Sequence, residues 1–101
     1  MTAYVIYQGN VTDPERYGEY RPLAAASIET AGGRYMVRGG DVDVLEGQAP
    51  AGRTVVIEFA DRQAALDWYH GEAYTVARKV REGAAEANMY VVEGYSTEPA
   101  G

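Results

Sequence analysis

The segment Arg53-Thr54-Val55-Val56-Ile57-Glu58-Phe59 constrains the fold of this chain more than any other. Its β-branched and aromatic side chains read as a strand. In a sheet covered on one face only, apolar and polar residues should alternate, because successive side chains point to opposite sides. Here Val55, Ile57 and Phe59 fill one face, yet Val56 occupies the other. Two further strand-like segments behave the same way: Tyr4 and Ile6 oppose Val5 and Tyr7, and Tyr90 and Val92 oppose Val91. Both faces of the sheet therefore need cover.

The rest of the chain covers one of them. Thr12-Asp13-Pro14-Glu15 is a helix start, in which Thr12 or Asp13 can cap, Pro14 has its φ preset and Glu15 can close a capping box. Tyr17, Tyr20, Ala24, Ile28 and Ala31 recur at helical spacing, and Gly32-Gly33 ends the helix. Pro22 cannot donate to the carbonyl of Gly18, which predicts a kink or break. Residues 34–39 read as a second strand, with a bulge or bend at Gly39-Gly40 and a continuation over residues 41–46. A turn over residues 47–52 leads into the central strand. Asp61 can cap a short helix running through Trp68 and Tyr69, and Gly71 interrupts it. A further helix from Glu72 presents Tyr74, Ala77, Val80 and Ala84 on one side. Asn88 ends it before a last strand over residues 89–93.

The order β-α-β-β-α-α-β predicts an α+β fold of the ferredoxin-like split βαβ type, a four-stranded antiparallel sheet with the helices on one face. No helix remains for the second face. Another copy of the sheet, packed face to face about a two-fold axis, covers it, so a homodimer is expected. Residues 1–96 form a single domain and residues 97–101 a frayed, disordered tail.

Composition narrows the chemistry. Nine Lys and Arg against fifteen Asp and Glu give a net charge of −6, which argues against nucleic acid and anionic membranes as partners. No cysteine and one histidine exclude thiolate chemistry and an all-histidine metal site within one chain, so neither a metal nor another cofactor is expected. No apolar run approaches the roughly 18 residues of a membrane span, and the N-terminus lacks a signal-peptide pattern, which suggests a cytoplasmic protein.

Four residues are candidates for catalysis: Arg38, Glu58, Tyr20 and His70. Arg38 and Glu58 sit inside strands, and their phases can put both on the less apolar face, as a structural ion pair or as a ligand anchor and a tuned base. Gly39-Gly40 beside Arg38 allows another molecule to approach the backbone. His70 can serve as general acid–base or axial haem ligand, although its place at a helix end beside Gly71 is explained by the helix dipole alone. Glu46 and Arg53 flank the 47–52 turn and read as a hairpin clasp. Trp68, Tyr69 and Tyr74, with Tyr17 and Tyr20, form an aromatic layer that can pack as core or line a pocket. Arg38, Trp68 and Tyr74 are the ligand-binding candidates.

Gly32-Gly33-Arg34-Tyr35, Val37-Arg38-Gly39-Gly40, Leu45-Glu46-Gly47 and the strand ending Glu58-Phe59 together resemble domain-of-unknown-function family 1330. Asp13-Pro14-Glu15 with Tyr17 and Tyr20 also fits, as does Trp68-Tyr69 with Tyr74 and Arg81 downstream. One departure stands out: Gly71 occupies a position where the family usually has a small hydroxyl residue. The resemblance implies the dimeric α/β-barrel superfamily. Its members include cofactor-free monooxygenases, muconolactone-type isomerases, haem-degrading enzymes and ligand-binding regulatory domains. Two function classes follow: a homodimeric small-molecule-binding protein, or a metal-free enzyme that performs proton transfer or oxygen insertion on a small organic acid or aromatic substrate.

Overall fold

The computed structural model describes residues 1–95; the tail expected over residues 97–101 lies outside the described residues. The elements are β1 (Ala3–Val11), α1 (Pro14–Thr30), β2 (Arg34–Arg38), β3 (Arg53–Phe59), α2 (Arg62–His70), α3 (Glu72–Arg81) and β4 (Ala85–Glu93). The four strands form one antiparallel sheet in the order β2-β3-β1-β4, the ferredoxin-like arrangement. Both expected caps are made: the side chain of Asp13 accepts from the Arg16 N–H at 3.2 Å, and that of Asp61 from the Ala64 N–H at 2.7 Å.

The two sheet faces separate as the strand pattern requires. Ala3, Val5 and Tyr7 of β1 and Val55, Ile57 and Phe59 of β3 are buried under the helices, against Ile28 of α1, Ala65 and Trp68 of α2, and Tyr74 and Ala77 of α3. On the other face Ile6 pairs with Val56 and Tyr90, and Tyr4 with Glu58 and Val92. Among the described residues, no helix covers this side. Tyr90 is 52% exposed and Val92 47%.

Three local expectations are corrected. α1 runs unbroken through Pro22, because Pro22 and Gly18 both lie on its exposed side, where water can serve the carbonyl left without a donor. β2 stops at Arg38, and residues 41–46 do not continue it. Their partners in such a hairpin would be the Gly/Pro turn 47–52, a poor source of ladder donors. The irregularity in β2 falls between Tyr35 and Val37 rather than at Gly39-Gly40. Finally, α3 ends at Arg81 and β4 begins at Ala85, earlier than Asn88 suggested. Gly83, at φ 80°, makes the reversal.

Candidate functional site

Tyrosines set the spacing between α1 and the sheet. Tyr17 and Tyr20 lie one helical turn apart on the buried stripe of α1, and Tyr7 rises from β1 to meet them. The Tyr17 hydroxyl donates to that of Tyr7 at 3.3 Å, and the hydroxyls of Tyr20 and Tyr74 are 2.6 Å apart. Side chains this long hold the helix off the strands and leave a cavity of about 30 Å³ between the layers, room for a water or two. Its floor is aliphatic, from Ile28, Val55 and Ile57, with Trp68 at one side.

Burial pushes the Tyr17 and Tyr20 hydroxyls well above the usual phenol value of 10.0, and raises those of Tyr74 and Tyr35 as well. At neutral pH they are uncharged hydrogen-bonding groups and not bases. The charge in the site comes from arginine. Arg21, Arg38 and Arg53 all line the cavity. Arg38 and Arg21 form its rim: the guanidinium of Arg38 lies 4.5 Å from the centre of the Tyr35 ring, and that of Arg21 5.4 Å from the centre of Tyr17. Arg53 reaches deeper, 5.9 Å from Tyr17, with its Nε buried and unpartnered. Among the described residues, ion pairs engage only Arg34 (with Glu58) and Arg62 (with Glu93). Among the described residues, no carboxylate or imidazole lines the cavity. An acidic chain thus gathers cations and neutral phenols around one small space.

The sequence candidates divide accordingly. Arg38, Tyr20 and Trp68 line the same cavity. Tyr74 stands directly behind, in contact with both Tyr20 and Trp68: its ring centre is 4.1 Å from that of the tryptophan. Trp68 is itself held in place by its Nε1–H, which donates to Ser27 Oγ at 3.0 Å. Glu58 is not part of the site. It faces the opposite side of the sheet, where Arg34 Nε donates to it at 3.1 Å. The shared phase expected for Arg38 and Glu58 fails because the irregularity around Met36 adds one residue to β2. Arg38 then pairs with Val55, on the helix-covered face. His70 is exposed at the end of α2, its ring packed edge-on against Tyr69, and borders a separate depression with Leu66 and Tyr90.

Arg53 is the residue that sequence reasoning misplaced. It makes no clasp with Glu46, which is exposed, because residues 39–52 form a long loop and not a tight hairpin. Arg53 pairs with Gly9 on the helix-facing side. Gly39, at φ 73°, leaves the space the guanidinium uses: a Cβ there would lie 3.0 Å from Arg53 Nη2. Strand phase could have found this, since Arg53 shares the face of Val55, Ile57 and Phe59.

The family called Domain of unknown function (DUF1330) matches residues 2–95. The chain belongs to DUF1330. Comparison with the curated proteins returns no match. Among solved structures, this DUF1330 protein is similar to RPA0582, a protein of unknown function from Rhodopseudomonas palustris, with 15% identity over 94% of this chain and 83% of that one and a TM-score of 0.74. It is similar to SnoaB, a cofactor-independent oxygenase from Streptomyces nogalater, with 12% identity over 97% of each chain and a TM-score of 0.61. HapK from Hahella chejuensis shares 16% identity over 98% of each chain, with a TM-score of 0.63. The likeness at these identities is one of fold, that of the dimeric α/β-barrel proteins. Among the described residues of the DUF1330 chain, no helix is long and apolar enough to cross a membrane, and no three acidic or histidine side chains are grouped to hold a metal ion.

Proposed function

We propose that this protein is a cytoplasmic homodimer that binds a small organic anion with an aromatic or enolic body in the cavity between α1 and the sheet. The observation that carries this reading is the lining itself: Arg38, Arg53 and Arg21 converge on a space bounded by phenols and aliphatic groups, with no carboxylate among the described residues that line it. Arg53 Nε is buried without a partner, which is costly, and an arriving carboxylate or enolate would relieve that cost. Guanidinium groups can grip such an anion with two parallel hydrogen bonds. The ring of Trp68 and the aliphatic floor suit a flat apolar body. A ligand of several heavy atoms needs more than 30 Å³, so α1 or the rim arginines would move outward on binding. The dimer reading is supported by the uncovered outer face, where Ile6, Val56, Tyr90 and Val92 are neighbours.

The alternative is a metal-free enzyme acting on the same kind of ligand by isomerisation or oxygen insertion. It is favoured by the fold shared with SnoaB, a cofactor-independent oxygenase. In that reading Arg38 and Arg53 stabilise a developing oxyanion, with Tyr20 as a hydrogen-bond donor.

A thermal-shift screen of aromatic and enol-containing carboxylic acids tests binding, on wild type, Arg38→Lys, Arg53→Lys and Trp68→Phe. A ligand present at 100 times its dissociation constant stabilises by about 2.7 kcal/mol. Loss of the shift in the folded variants supports the site. Shifts that persist unchanged in all three would remove it.

A further inference from the structure

We propose that the groove between α3 and β4 is a second anion-recognition site and the mouth of the cavity, with Arg81 as the wall between the two. This rests on the reading of the cavity as a site for an organic anion; the ligand class is a carboxylate on a small aromatic body.

The inner cavity is too small for such a molecule, but a groove of about 500 Å³ lies on the other side of the tyrosines. On the β4 side it is lined by the small side chains of Ala85 and Ala87. Arg81 lines the groove, and its guanidinium lies 5.5 Å from the centre of the Tyr7 ring and 5.4 Å from that of Tyr20, both walls of the cavity. Arg78 stands beside it, 4.4 Å over the ring of Tyr69, with Nη1 donating to the Tyr69 hydroxyl at 3.2 Å. Lys79 completes a trio of cations, and Glu82 is the one carboxylate among the described residues of the lining. Basic residues in the last turn of a helix are accounted for by the dipole when they reach solvent. That account leaves Arg78 Nε and Arg81 Nη1 unexplained, because both atoms are buried without a hydrogen-bond partner. Neither guanidinium has a carboxylate in ion-pair range among the described residues. Both guanidinium groups line the groove, and two such forks suit a carboxylate once a small movement uncovers their unpartnered N–H groups. Arg81 lies over both tyrosine rings with no ion pair among the described residues, so it is the side chain whose movement with that carboxylate would join groove to cavity.

The absence of cysteine makes a direct test possible. One thiol is placed in the groove by Ala87→Cys and, as a control, one on the exposed face of α3 by Val76→Cys. Each is alkylated with anionic iodoacetate and with neutral iodoacetamide. The ratio of the two rates should be several-fold higher for Ala87→Cys than for Val76→Cys. Adding Arg78→Gln or Arg81→Gln should bring it down to the control, and benzoate should protect the groove thiol. Arg78→Gln decides the matter if Arg81→Gln does not fold. A ratio equal to the control, or indifferent to both substitutions, overturns the proposal. Trp68 emission, followed in the same benzoate titration, separates the two readings. A tryptophan response without thiol protection defeats the mouth and leaves the cavity site standing. Protection with a silent tryptophan keeps the groove as an anion site, without its role as a mouth, and defeats the cavity reading.

Discussion

Ser27 shows how a single hydroxyl fixes the site. It is buried at 4% exposure, donates to the Ala24 carbonyl at 2.8 Å and accepts from Trp68 Nε1. Ser27→Ala would leave the indole N–H unpaired among the rings of Phe59 and Tyr74. The expected cost is about 1–3 kcal/mol, read as a lower denaturation midpoint at unchanged slope. The buried phenols give a pH prediction. Their values are raised in the folded protein from the ordinary 10.0, so the unfolded chain releases protons first as the pH rises. Their contribution to stability is intact below that value and is lost progressively above it, toward the folded values. Absorbance at alkaline pH should show Tyr17, Tyr20, Tyr35 and Tyr74 ionising together with unfolding; their free titration in folded protein would contradict their burial. The caps at Asp13 and Asp61 and the aromatic layer were legible in the sequence, because capping chemistry and helical spacing are local. The role of Arg53 was not. A charge at the mouth of a Gly/Pro turn reads as a clasp until the length of the loop is known.

Among the elements, β2 decides which arginine faces the site. Simple alternation puts Arg34 and Arg38 on one face, and the extra residue around Met36 reverses the phase of Arg38. No residue there announces a bulge, and the glycine pair that did announce one serves instead to end the strand and make room for Arg53. Deletion of Met36, which is 48% exposed, should restore a regular ladder with Arg38 still facing inward. The cost should be within about 1 kcal/mol, with any ligand shift retained. Insertion of one alanine between Val37 and Arg38 should turn Arg38 outward and weaken that shift. The opposite order of effects would show that the bulge does not set the phase.

At the scale of the whole molecule, the order of strands and helices and the need to cover both sheet faces were legible, because both follow from patterns that span the chain. What the outer face packs against gives a mutational test. Val56 sits at its centre between Ile6 and Val37. Val56→Asp should convert a dimer into a monomer in sedimentation equilibrium, since an unpaired carboxylate in a sheet–sheet contact costs several kcal/mol. An intact, unchanged dimer would place the interface elsewhere.

The proposed function rests on the arginine-lined cavity, and the sign of its charge is the claim to test. Benzoate and benzamide have nearly the same shape and differ in charge. Isothermal titration of the wild-type protein with each, near neutral pH, compares them directly. The account predicts that benzoate binds and benzamide does not, and that Arg53→Gln lowers the benzoate heat to what the groove beside α3 alone gives while the protein stays folded. Equal affinity for the two ligands, or a benzoate heat unchanged by Arg53→Gln, would contradict it.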